Sequence, residues 1–80
     1  MFINKYNGKN NICGLKISFF RKQMKISQRE LADRLQLIGL DIDKNAIQRI
    51  EAGKRFVTDI ELFHIQKALN IEMKDLFDLK

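Results

Sequence analysis

Eighty residues with 15 Lys and Arg against 10 Asp and Glu carry a formal charge of +5 and a sequence pI near 9.6. A chain of this length builds one small domain with a modest core, which excludes a second domain, and its single cysteine excludes an internal disulfide and argues for no oxidising compartment. The positive balance fits a polyanionic partner without requiring one, and it is unevenly placed: residues 1 to 55 hold 12 basic and 5 acidic side chains, net +7, whereas residues 56 to 80 hold 3 and 5, net −2.

In chain order, residues 1–12 are polar and Asn-rich, with Phe2, Ile3 and Tyr6 as isolated anchors, and read as an N-terminal arm. They contain no apolar run of signal-peptide kind, and nothing in the chain approaches the roughly 20 apolar residues of a membrane span, so a soluble, cytoplasmic protein without membrane contact is expected. Residues 13–80 read as one all-α domain of about five short helices. Cys13, Ile17, Phe20 and Met24 recur at helical spacing and define a first amphipathic helix. Leu15 and Phe19 lie off that stripe, side by side at i and i+4, and need a cover, either the arm through Phe2, Ile3 or Tyr6 or a partner subunit.

The later boundaries are marked by one repeated device, a capping residue flanked by two apolar residues that clip together across the first turn. In "ISQREL", Ser27 caps with Glu30 as its reciprocal partner while Ile26 and Leu31 staple, starting a second helix with Leu31, Ala32, Leu35 and Ile38 as its buried stripe and Gly39 at its end. In "IDKNAI", Asp43 caps and Ile42 and Ile47 staple, so a third helix over about residues 44–52 turns Ile47 and Ile50 inward and stops at Gly53. In "VTDIEL", Thr58 and Glu61 form a capping box with Val57 and Leu62 as staple, and Leu62, Ile65 and Leu69 follow as the core stripe of a fourth helix that Asn70 closes. "IEMKDLFDL" reads as a short fifth helix, with only Glu72 where Ser or Asp would cap better. Met24 and Met73 read as core fillers.

The third helix poses the functional question. Lys44, Asn45, Gln48 and Arg49 lie toward its N-terminal end and away from Ile47 and Ile50, and the pair Lys54 and Arg55 follows Gly53 directly. On composition alone four exposed polar residues are most often a solvated face. An α-helix fits the DNA major groove, however, where Arg or Lys pairs with guanine and Asn or Gln with adenine, so all four are of base-reading type. Lys54 and Arg55 would then reach phosphate oxygens, a role compatible with cations favoured at a helix C-terminus.

The segments "LKISFFRKQMKISQRELADRL" and "NAIQRIEAGKRFVTDIELFHIQKALNI" resemble the helix-turn-helix domain of the lambda repressor and Cro family, also called the XRE family, over about Gly14 to Leu79. Its most specific parts here are "SQRELA" and "IQRIEAGKR", in that order and at that distance. The resemblance implies a compact five-helix fold whose third helix is the recognition helix. It places Lys44, Asn45 and Arg49 at base-reading positions with Gln48 as a fourth contact, Gln28 and Lys54 at phosphate contacts with Arg55 beside them, and Arg21 and Glu51 as an ion pair bridging the first and third helices. Two features depart from the family pattern: "QLIGLDID" is a longer connection than its compact turn, and Gln66 stands where the family packs a small Ala.

Other chemistry finds no footing. His64 has no second His, Cys or suitably spaced carboxylate for metal or catalytic duty, and Cys13 on the Ile17 and Phe20 stripe is a small apolar residue rather than a nucleophile. No Gly-rich phosphate loop, carboxylate pair or Ser/His/Asp set appears, so neither an enzyme nor a cofactor nor a small-molecule ligand is expected. The expected function is a sequence-specific transcriptional regulator of double-stranded DNA, acting by occlusion or by recruiting polymerase, with a homodimer as its favoured assembly. The main rival is an antitoxin or accessory subunit whose chief partner is a protein, marked by an uncovered apolar surface at Leu15 and Phe19 or at Phe77 and Leu79. An RNA-binding module is disfavoured because no aromatic platform for stacking bases is present.

Overall fold

In the computed structural model, which describes residues 5–78, four α-helices and a closing 3-10 turn fold around one core. The helices are α1 (Gly14–Gln23), α2 (Gln28–Leu37), α3 (Lys44–Glu51) and α4 (Asp59–Ala68), and the turn spans Met73–Phe77. Among the described residues no helix is long and apolar enough to cross a membrane.

Local chemistry accounts for the helix starts. Glu30 N–H donates to Ser27 Oγ at 3.0 Å while Ser27 N–H donates to Glu30 Oε1 at 3.2 Å, and the same reciprocal box joins Thr58 to Glu61 at 3.1 and 2.9 Å. Asp43 Oδ1 accepts from Ala46 N–H at 2.8 Å, so α2, α3 and α4 each satisfy one of the first-turn donors that a helix leaves unpaired. The staple residues Ile26, Leu31, Ile42 and Ile47 are buried, which fixes the angle at which the chain enters α2 and α3. All four helices exit through a left-handed residue, Lys25 after α1, Gly39 after α2, Gly53 after α3 and Asn70 after α4.

Among the described residues Ile17, Leu31, Leu35, Ile47, Ile50, Ile65, Leu76 and Cys13 are the largest fully enclosed side chains, and they draw every helix and the final turn into a single core. Helix α3 packs on α1 and α2, while the final turn seals the space between α1 and α4. Gly14 permits the α1 to α3 crossing: a Cβ there would overlap the Ile50 carbonyl oxygen.

Three expectations need correction. Ile38 is 45% exposed instead of closing the α2 stripe, because α2 ends at Leu37 and the chain reverses at Gly39, so that Leu40 packs on the core in its place. The fifth helix is a five-residue 3-10 turn, held by Glu72 N–H donating to Asp75 Oδ2 and Asp75 N–H donating to Glu72 O, each at 3.0 Å. Met73 is exposed on it, and Leu76 fills the core instead; Met24 packs against the core.

The long α2 to α3 connection is pinned at both ends. Leu40 N–H donates to Leu35 O at 2.9 Å, Gln36 Nε2 donates to Ile42 O at 3.0 Å, and the Ile42 side chain is buried. Gln66, where a small residue was the family expectation, is half-buried and donates from Nε2 to Ile71 O, tying α4 to the chain that follows it.

Candidate nucleic-acid interface

Helix α3 is two-faced. Ala46, Ile47 and Ile50 are buried, while Lys44, Asn45, Gln48 and Arg49 are exposed. Among the described residues none of these four side chains donates to, accepts from or pairs with another group, so their hydrogen-bonding capacity is unspent. At the N-terminal end of α3 the exposed face opens into a polar groove shared with α2 and lined by Arg29, Asp33, Gln36, Lys44 and Asn45.

What orients α3 is a network centred on Glu51, its last residue. Arg21 on α1 donates from Nε to Glu51 Oε2 at 2.7 Å and from Nη2 to Glu51 Oε1 at 3.0 Å, and its Nη1 donates to Ile26 O at 2.8 Å. Gln28 Nε2, from the first turn of α2, donates to the same Glu51 Oε1 at 3.0 Å. The Arg21 and Glu51 side chains are only 10% and 7% exposed. The bond to Glu51 raises the Arg21 pKa above its ordinary value against the opposing effect of burial. One carboxylate therefore holds three helices at the root of the exposed α3 face. With one amide hydrogen given to Glu51, Gln28 keeps the other, together with a first-turn backbone N–H that no helix satisfies internally.

Beyond α3, Lys54 is exposed with its ammonium unpaired among the described residues, and Gly53 turns the chain with φ of +77°. Arg55 differs from it. Its Nη1 and Nη2 donate to Glu61 Oε1 and Oε2 at 2.9 and 2.8 Å, and Nη1 also donates to Phe56 O at 3.0 Å. The Arg55 hydrogen bonds hold the Glu61 carboxyl below its ordinary pKa. Since Glu61 is also the capping-box partner of Thr58, Arg55 anchors the start of α4.

Two contributors had no signal at the sequence level beyond their residue type. Asn10 donates its backbone N–H to Gly53 O at 2.8 Å and its Nδ2 to Lys54 O at 2.9 Å. Asn11 Nδ2 donates to Ile50 O at 3.0 Å and Arg55 O at 2.8 Å, while its Oδ1 accepts from Gly14 N–H at 2.8 Å. The segment before α1 thus satisfies carbonyls at the C-terminal end of α3, Ile50 O, and in the chain that leaves it, at Gly53, Lys54 and Arg55.

Elsewhere the candidate residues serve packing. His64 Nδ1 lies 2.8 Å from Ile60 O one turn back, and among the described residues no group of three His, Cys, Asp or Glu is placed to hold a metal. Burial pushes the Cys13 thiol up to about 11. Leu15 and Phe19 are 66% and 48% exposed; Tyr6 shares a shallow pocket with Leu15, while Phe2, Ile3 and Leu79 lie outside the described residues.

Residues 17–76 match the model of the helix-turn-helix family. Among solved structures the chain is similar to the restriction-modification controller protein C.AhdI from Aeromonas hydrophila, with 26% identity over 80% of this chain and 86% of that one and a TM-score of 0.71. No curated protein matches the chain.

Proposed function

The chain belongs to the Cro/C1-type (XRE) helix-turn-helix family of DNA-binding transcription regulators, and from that premise we propose that it reads specific sequences of double-stranded DNA by laying α3 in the major groove. Lys44, Asn45, Gln48 and Arg49 contact base edges; Gln28 and Lys54 hold flanking phosphates, and Arg55, fastened to Glu61, borders the same phosphate path. The observation that carries this reading is the exposed face of α3, on which four side chains of base-reading type stand unpaired among the described residues, above a helix braced by Arg21, Gln28 and Glu51. Bracing matters because discrimination between bases depends on donors held in fixed geometry. Likeness to a restriction-modification controller protein fits a regulatory role.

Selection of bound duplexes from a random DNA pool tests the reading. A recovered consensus supports it, and an inverted repeat would also report a two-fold dimer; failure to enrich any sequence overturns it. The exposure of Leu15 and Phe19 favours a second reading, an antitoxin or accessory subunit whose chief partner is a protein. Under that reading the isolated chain yields no consensus and does so only with its partner.

A further inference from the structure

We propose that the turn at residues 6–9 is a second phosphate-contacting element of the DNA interface, with Lys9 as its contact beside Lys54. The proposal rests on the reading that α3 enters the groove with Lys54 at the backbone.

Lys9 is presented by an ordered turn. Tyr6 N–H donates to Lys9 O and Lys9 N–H to Tyr6 O, each at 2.9 Å, and the two residues between them, Asn7 and Gly8, are both left-handed with φ of 50° and 77°. Asn-Gly at these positions is the sequence that most readily takes such a hairpin turn. The turn is then fastened to the end of α3 by Asn10 and Asn11, whose bonds reach Ile50, Gly53, Lys54 and Arg55.

The Lys9 stem lies over Gly53. A Cβ on Gly53 would meet Lys9 Cδ, Cγ and Cβ at 2.8, 2.9 and 3.0 Å, so the absence of a side chain there is what lets Lys9 approach. The residue after Gly53 is Lys54. Both lysines are exposed, and among the described residues neither ammonium has an acidic partner; the carboxylate at this end of α3, Glu51, is already bound by Arg21 and Gln28. Two unpaired cations at one helix end, one with its methylenes packed on backbone, match an anionic strand and are unfavourably placed without one. Because the turn is already ordered, binding does not bear the cost of ordering it.

The test is the salt dependence of binding to a random-sequence duplex, read by fluorescence anisotropy on the full chain. Lys9→Gln keeps most of the stem over Gly53 and removes the charge. It should make the slope of log affinity against log salt shallower by about 0.9, as one fewer counterion is released, and Lys9→Arg should restore it. Lys67→Gln, on α4 with its ammonium over the Phe63 ring, should leave the slope unchanged. If Lys54→Ala shifts the slope and Lys9→Gln does not, the inference fails while the DNA reading stands; if neither shifts it, the reading fails and takes the inference with it. An equal shift from Lys67→Gln would reduce the effect to net charge and overturn the inference.

Discussion

Gln28 and Arg21 donate to the same oxygen, Glu51 Oε1, each at 3.0 Å, from two different helices. The start of α2 and the last turn of α1 are thereby referred to one point at the end of α3, and the angle between α2 and α3 is set by hydrogen bonds as well as by packing. Such a joint has a double-edged energetics: a buried carboxylate that loses its partner keeps its desolvation cost.

The Arg21 and Glu51 pair is therefore expected to be strongly coupled. Arg21→Ala, which leaves the Glu51 charge with only the Gln28 amide, should cost about 3 kcal/mol of unfolding free energy, and Arg21→Ala with Glu51→Ala together should cost less than the sum of the two single changes. A double-mutant cycle measured by denaturant unfolding checks this. Additive losses would mean the two charges act independently despite their contact.

The Arg55 and Glu61 pair gives a pH dependence. With its folded-state pKa held below the ordinary value of 4.5 by Arg55, Glu61 stays ionised in the folded protein at pH values where the unfolded chain has begun to take up a proton. Its stabilising contribution is present in full above that ordinary value and is lost as pH falls through the lower, folded value. Glu61→Gln should accordingly flatten the acid limb of stability against pH while lowering stability at neutral pH. Parallel acid limbs for the two proteins would contradict the assignment.

What could be read from the sequence was what acts over three or four residues. Ser27 with Glu30, Asp43 with Ala46 and Thr58 with Glu61 are local geometries, as are the left-handed exits at Gly39 and Asn70, so residue type and spacing alone specify them. The bonds of Asn10 and Asn11 join positions 39 to 44 apart, and nothing in their spacing reports it. Arg55 was legible as a cation after a helix, but not as the partner of Glu61, because a capping box accounts for Glu61 without its second oxygen. Ile38 shows the converse: the helical period continued past the point where the backbone turned, and periodicity cannot see a helix end one residue early.

Dimerisation is expected on DNA. One module of this size buries too little duplex for the affinity a regulator needs, and two related by a two-fold axis would meet a palindromic site. Apolar surface for such a contact exists: Leu37 and Ile38 share a shallow depression with Lys67, whose ammonium stands over the ring of the exposed Phe63. Sedimentation of the complex with a selected duplex should give two protomers per site. One protomer on a tight, asymmetric site would rule the dimer out.

Base reading and phosphate holding should be separable by mutation. Arg49 stands on the exposed face of α3 with a guanidinium that is unpaired among the described residues, whereas Lys54 lies past Gly53, where the chain has left the helix. Arg49→Ala should lower affinity for a selected site by about 1 to 3 kcal/mol and leave random DNA nearly as well bound, because a two-pronged base contact discriminates as well as attracts. Lys54→Ala should weaken selected and random duplexes alike, with a salt slope shallower by about 1. Neither change removes a buried contact, so thermal unfolding should be almost unaltered and the losses attributable to the interface. Competition binding against both duplexes at several salt concentrations distinguishes the two outcomes. A uniform loss from both variants would mean that α3 does not reach base edges; the path of residues 38–43 between α2 and α3, pinned through Gln36 and Ile42, would then be what holds it out of the groove.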